Sequence, residues 1–183
     1  PKPQNPKLLK SKAYNISKDT FYVEVDKLLL WDKNPRLKLE NYSFEKSQID
    51  DLETQESLRK LIKQNSEHKL EDLINSIKND KFKDDNPIYV DLHKGTDKYF
   101  VIEGNRRLAA VKSLHKEGDN RVKSIPCYRF NYNQNSGVDY ESALNLLVAE
   151  QHYIGGKVKH DGIVKALVFY DTYMSFLLQN SSA

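Results

Sequence analysis

Tyr99-Phe-Val-Ile-Glu-Gly-Asn-Arg-Arg-Leu-Ala-Ala-Val-Lys-Ser-Leu114 is the stretch on which the fold turns. Tyr99 to Ile102 is an apolar run of strand length. Glu103-Gly104-Asn105 ends it, and Gly104 can adopt backbone angles that other residues resist. Leu108, Val111 and Leu114, with Ala109 and Ala110 between, then suit a packed helix. A strand, a turn and a helix leave N–H groups without intrahelical acceptors, and a partial positive charge, at the helix start. Arg106 and Arg107 add two charges and two planar donor forks there, a combination suited to phosphate. The same spacing also fits a structural corner in which each arginine pairs with a carboxylate, and spacing alone leaves the two readings level.

Outward from this corner, Ile88 to Leu92 reads as the preceding strand, and Lys94-Gly95-Thr96-Asp97 as the hairpin turn between them. Upstream, Leu70, Leu73, Ile74 and Ile77 fall on one helical face, with Ser66 as its N-cap. A charged helix is predicted over residues 48–64. Its Asp50, Asp51, Glu53 and Glu56 read as a solvated helix start rather than a metal site. Phe21 to Val25 is β-rich, and Leu28 to Trp31 follow it before the rigid turn Asn34-Pro35-Arg36. Residues 1–19, polar and lysine-bearing, read as an extended or disordered arm.

Downstream, Gly118 stops the helix, and Ile125 to Phe130 is a strand in which Pro126 indicates an edge or a start. Cys127 is a small core filler. Tyr140, Leu144, Leu147 and Val148 mark a helix. Gln151 to His160 contains Gly155-Gly156-Lys157, where glycine amides and lysine charge could crowd an anion with His152 beside them, or which could equally be a flexible interhelical hinge with exposed lysines. Ile163, Ala166, Leu167, Tyr170, Met174 and Leu177 form one face of a final helix over residues 160–178. That helix is too apolar for a free surface and calls for a partner, a second copy or a further C-terminal region against it.

The chain has 183 residues, enough for one compact domain with an appended helical piece, and 29 basic against 26 acidic residues leave a net charge of +3. That excess does not by itself demand nucleic acid. A single cysteine excludes an internal disulfide and fits a cytoplasmic setting. No uncharged run reaches membrane-spanning length. The chain opens on Pro1 and ends Ser181-Ser182-Ala183, which reads as a piece of something longer. No zinc spacing, Walker A loop or Gly-x-Ser-x-Gly occurs.

Glu103-Gly104-Asn105-Arg106-Arg107-Leu108-Ala109-Ala110 resembles the signature of the ParB/sulfiredoxin superfamily. Asn34-Pro35-Arg36, the helix Leu70 to Ile77 with Asn86 to Val90, and Ile125 to Tyr128 resemble its other parts in order. The resemblance implies an α+β fold, a small mixed sheet with flanking helices, followed by C-terminal helices. It divides the chain into an arm (1–19), the ParB-like domain (20–135) and a helical extension (136–183).

It also implies a site. Gly104, Arg106, Arg107, Arg36, Asn34, His152, Gly155, Gly156 and Lys157 would bind the phosphates of a nucleotide such as CTP or ATP with Mg²⁺. Glu103 and Asn105 would be catalytic, and Glu103 would hold the metal. No zinc, haem or flavin is implied. Sulfiredoxin chemistry is excluded because Asn105, not cysteine, follows the turn glycine. ParB-type proteins commonly carry Glu there, and Asn cannot usefully accept a proton, so turnover stays open. The expected role is a nucleotide- or phosphate-binding domain of a DNA-associated bacterial or phage protein, with no membrane partner. The alternatives are a metal-dependent DNA-nicking nuclease, in which Glu103 would be joined by Asp91 or Asp97, and a non-enzymatic DNA-binding adaptor.

Overall fold

The computed structural model describes residues 13–17, 19–34, 49–64 and 69–153. Among these, six strands make a mixed sheet: β1 (Tyr14–Ile16), β2 (Phe21–Glu24), β3 (Leu28–Leu30), β4 (Ile88–Leu92), β5 (Tyr99–Glu103) and β6 (Ser124–Tyr132). The described helices are α1 (Leu52–Gln64), α2 (Leu70–Asp80), α3 (Asn105–Lys116) and α4 (Tyr140–Tyr153). This is the α+β class that the sequence predicts. The chain divides into a unit spanning Ser17–Arg129 and a second that combines the residues up to Ile16 with those from Phe130 onward.

Within Ser17–Arg129, β4 and β5 form the expected hairpin. Its turn is closed by His93 N–H donating to the Lys98 carbonyl at 2.8 Å, with Gly95 at φ +83°. β3 runs parallel to β5, Leu28 opposite Tyr99 and Leu30 opposite Val101. Both strands therefore leave the sheet at the same end, and β4, antiparallel to β5, enters there. β6 lies parallel along the other side of β4, and β2 pairs with its first residues.

Alternation along the strands sends Val23, Leu28, Leu30, Ile88, Val90, Val101, Ile125 and Cys127 into one core. Leu58 and Ile62 of α1, Ile74 and Ile77 of α2, and Leu108 and Val111 of α3 fill it from the helix side. Each fully buried leucine or isoleucine here stabilises the fold by about 1.5–3 kcal/mol. Lys112 of α3 reaches the Val25 carbonyl at 3.3 Å, and burial lowers its amine to about 8.

Among the described residues β3 ends the strand order, and no strand lies along its outer edge. Gln55 of α1 closes that edge. Its Oε1 accepts from Leu30 N–H at 2.7 Å, and its Nε2 donates to the carbonyls of Leu30 at 3.0 Å and Ile49 at 2.7 Å. A primary amide offers a donor and an acceptor side by side, as a peptide does, and so replaces a neighbouring strand. Arg59 ties α1 to α3 through Ser113 Oγ at 3.0 Å while paired with Glu56 at 2.7 Å.

In the second unit, β1 pairs antiparallel with the end of β6, Tyr14 opposite Tyr132 and Ile16 opposite Phe130. Within the expected arm over 1–19, residues 14–16 form this strand, while 1–12 lie outside the described residues. Tyr14 is held by ring contact with Phe130, centroids 5.2 Å apart, and by its hydroxyl donating to Glu150 Oε2 at 2.8 Å. Ala143, Leu144, Leu147 and Val148 are the buried face of α4. The predicted helix over 160–178 falls outside the described residues.

Other expectations shift in detail. The helix read over 48–64 begins at Leu52, and the one read from Ser66 is described from Leu70, Ser66 being outside the described residues. β6 has strands on both sides, yet Pro126, opposite Tyr22, precedes its first β4 partner by one residue. Proline thus occupies an edge-like position within an inner strand.

Candidate functional site

β5 does not reach its end in regular register. Glu103 pairs with Tyr89 while Val101 pairs with Val90, so Ile102 is an extra residue on β5. Such a bulge bends the strand end and re-aims the side chain that follows, here Glu103. Gly104 comes next at φ +105°, left-handed backbone that an L side chain resists. Room is denied as well: a Cβ at this position would collide with Ile88 Cγ2 and lie 2.9 Å from Ile88 Cβ.

The first intrahelical bond of α3 is Leu108 N–H to the Gly104 carbonyl, at 2.9 Å. The N–H groups of the turn before it have no acceptor within the helix, as at any helix start. Gly104 brings no side-chain cap, and the first turn carries no acidic residue. It carries Arg106 and Arg107 instead, at the end where the helix dipole disfavours cations. An anion bound there would relieve that repulsion.

The two arginines differ. Arg107 Nη1 donates to the Asn86 carbonyl and, at 3.3 Å, to the Pro87 carbonyl, fastening the segment before β4 to the start of α3. Burial lowers the Arg107 guanidinium from its ordinary value, while nearby Glu103 favours its charge. Arg106 is half-buried on the same turn. Asn105 is buried, and its amide is engaged on both sides: Oδ1 accepts from Trp31 N–H at 2.8 Å, and Nδ2 donates to the Val101 carbonyl at 2.7 Å. Asn34 is buried in the turn that leaves β3, its N–H donating to the Trp31 carbonyl at 3.2 Å.

The structure therefore gathers three segments at one sheet end: Trp31–Asn34 after β3, Asn86–Pro87 before β4, and Glu103–Arg107 after β5. Of the residues expected at the site, Glu103, Gly104, Asn105, Arg106, Arg107 and Asn34 meet here. Arg36, Gly155, Gly156 and Lys157 lie outside the described residues, and His152 is described only as part of the α4 backbone. Asp97, offered as a metal partner for Glu103, is at the hairpin end of β5 and pairs with Lys27 at 2.9 Å. Asp91 faces Phe100 across the β4–β5 ladder and bonds to Leu92 N–H at 2.8 Å. Among the described residues, no group of three His, Cys, Asp or Glu is placed to hold a metal. Cys127 is fully buried, its thiol pushed up to about 12 by burial, which suits a core filler and not a nucleophile.

Trp31 and Ile88 escaped the sequence reading as site-forming residues. The first acts through its backbone N–H and the second through its bulk beneath Gly104. The signal for Trp31 is its place directly after Leu28–Leu30, in a strand that ends beside β5. No residue pattern announces the backbone contact itself.

The model of the ParB N-terminal domain matches residues 35–128. No curated protein matches the chain at a significant level. Among solved structures, a Pnob8-like ParB-N domain is similar at TM-score 0.52 and 15% identity, over 92% of this chain and 50% of that one. The C-terminally truncated chromosome-partitioning protein ParB from Caulobacter crescentus, complexed with CTP-gamma-S, is similar at TM-score 0.44 and 17% identity, over 85% of this chain and 63% of that one. The chain thus spans between half and two thirds of the solved structures it resembles.

Proposed function

We propose that this chain, which belongs to the ParB N-terminal domain family, binds the phosphates of a nucleotide at the start of α3. The observation that carries the reading is the first turn of α3. Two arginines and no acid stand at the positive end of a helix, behind a glycine that neither the backbone angle nor Ile88 allows to be replaced. In this reading Arg106 meets the phosphates directly, with the first-turn amides. Arg107 adds charge from its seat on the Asn86 and Pro87 carbonyls. Asn105 is a positioning residue, its amide occupied in joining Trp31 to the corner. Mg²⁺ commonly takes one or two carboxylates together with phosphates, and Glu103 is the carboxylate at hand. Glu103 is also the candidate base if the nucleotide is hydrolysed.

The wider role that fits is a nucleotide-binding part of a DNA-associated bacterial or phage protein working in the cytoplasm, with DNA and further copies of the chain as partners. The nuclease reading has no carboxylate cluster among the described residues to build on.

A thermal-shift screen with CTP, ATP, GTP and UTP, with and without Mg²⁺, tests the proposal. A ligand at a hundredfold its Kd stabilises the fold by about 2.7 kcal/mol. At least one nucleotide should raise Tm, and Arg106→Ala should lose the rise while keeping its own unliganded Tm close to that of the parent. No rise with any of the four would overturn the reading.

A further inference from the structure

The core side of the sheet is not covered along its whole length. Val90 and Val101 are fully buried there, while Leu92, two residues on and on the same face, is 44% exposed. The register carries this open end to the neighbouring strands, Leu92 lying opposite Tyr99 and Arg129 opposite Val90. Phe21, opposite Cys127, packs on the core from β2. Its ring meets Tyr99 edge-on, with centroids 5.8 Å apart. The exposed Arg129 lies over both rings, its Cζ 5.2 Å from the Phe21 centroid and 5.6 Å from that of Tyr99. Its Nη2 donates to the Tyr99 hydroxyl at 3.0 Å.

This guanidinium is held by rings and a hydroxyl, not by an acid. Arg59 and Arg121 hold Glu56 and Asp119 at 2.7 and 2.6 Å, whereas no carboxylate of a described residue pairs with Arg129. Stacking and the one hydrogen bond fix the plane of the fork and leave its other donors toward solvent. Little rotamer freedom is then left to lose on binding.

We propose that Arg129, with Tyr99 and Leu92, is the docking point for an acidic segment of a partner protein. One Asp or Glu carboxylate of that segment meets the guanidinium, and a neighbouring apolar side chain covers Leu92. Charge complementarity selects the occupant. Lys27 and Lys98, at the same hairpin end, are engaged by Asp97 at 2.9 Å and Asp50 at 3.5 Å. Arg129 thus presents a single fixed charge beside apolar surface, where a nucleic-acid backbone calls for several cations. Arginine and tyrosine are also the side chains on which binding energy concentrates at protein interfaces.

A phage-displayed library of random dodecapeptides, selected on the immobilised full chain, tests this. Bound peptides should be enriched in Asp or Glu beside Leu, Ile or Phe. Synthetic copies should bind the parent in solution and lose about tenfold or more in affinity for Arg129→Ala, as expected for one charge-assisted contact. Arg129→Lys should lose nearly as much, since an ammonium has neither the fork nor the stacking. Leu92→Glu alters an exposed side chain and should also lose the peptides, by repulsion, at the parent's Tm. A selection that yields no binders, or binders without acidic residues, would overturn the proposal. So would peptides that bind Arg129→Ala or Leu92→Glu as tightly as the parent. Binding of an oligothymidylate that depends on Arg129, with no peptide doing so, would overturn it in favour of a phosphate backbone.

Discussion

Asn105 shows how much one side chain does at this corner. Its amide reaches Trp31 on one side and Val101 on the other, so the exit of β3 and the exit of β5 are held together without a strand between them. Asn105→Ala would leave a buried N–H and a buried carbonyl without that partner, at a cost of about 2 kcal/mol or more. The expected result is a lower urea midpoint with an unchanged m-value. Asn105→Asp should not recover it, because a carboxylate still accepts from Trp31 but cannot donate to the Val101 carbonyl. Wild-type stability in either variant would refute this role. The division of labour at the site was not legible in the sequence. Arg106 and Arg107 are identical and adjacent, and only the path of the chain before β4 sends one of them to the Asn86 and Pro87 carbonyls.

At the scale of elements, β5, its turn and α3 were legible because they are local. An apolar run, a glycine and an alanine-rich helix need no distant partner to be recognised. β1 was not legible, since three residues without periodicity become a strand only through pairing with Tyr132 and Phe130, far along the chain. β3 stands between these cases: its leucines were visibly apolar, while its parallel pairing with β5 spans a long crossover. Its outer edge depends on Gln55, a residue that sequence pattern assigns to an ordinary polar helix position. Gln55→Leu keeps the volume and removes all three bonds to Leu30 and Ile49. The expected loss is about 1–3 kcal/mol, since buried backbone groups are left unpaired. Chemical denaturation measures it, and light scattering should show a rise in association as the edge opens. A variant as stable and as dispersed as the parent would show that the clamp is idle.

At the scale of the molecule, the architecture converts chain order into a site. β3 and β5 are parallel and β4 is antiparallel to β5, so two exits and one entrance share an end of the sheet. The family match over residues 35–128 takes in β4, β5 and α3, while β3 and its exit precede it. In the proposed function an anion sits on the first turn of α3. Amide chemical shifts in a nucleotide titration of the ¹⁵N-labelled chain test this most directly, because they report which N–H groups meet the ligand. The amides of Asn105, Arg106 and Arg107 should move first and furthest. Saturable binding that leaves those three amides where they were would contradict it.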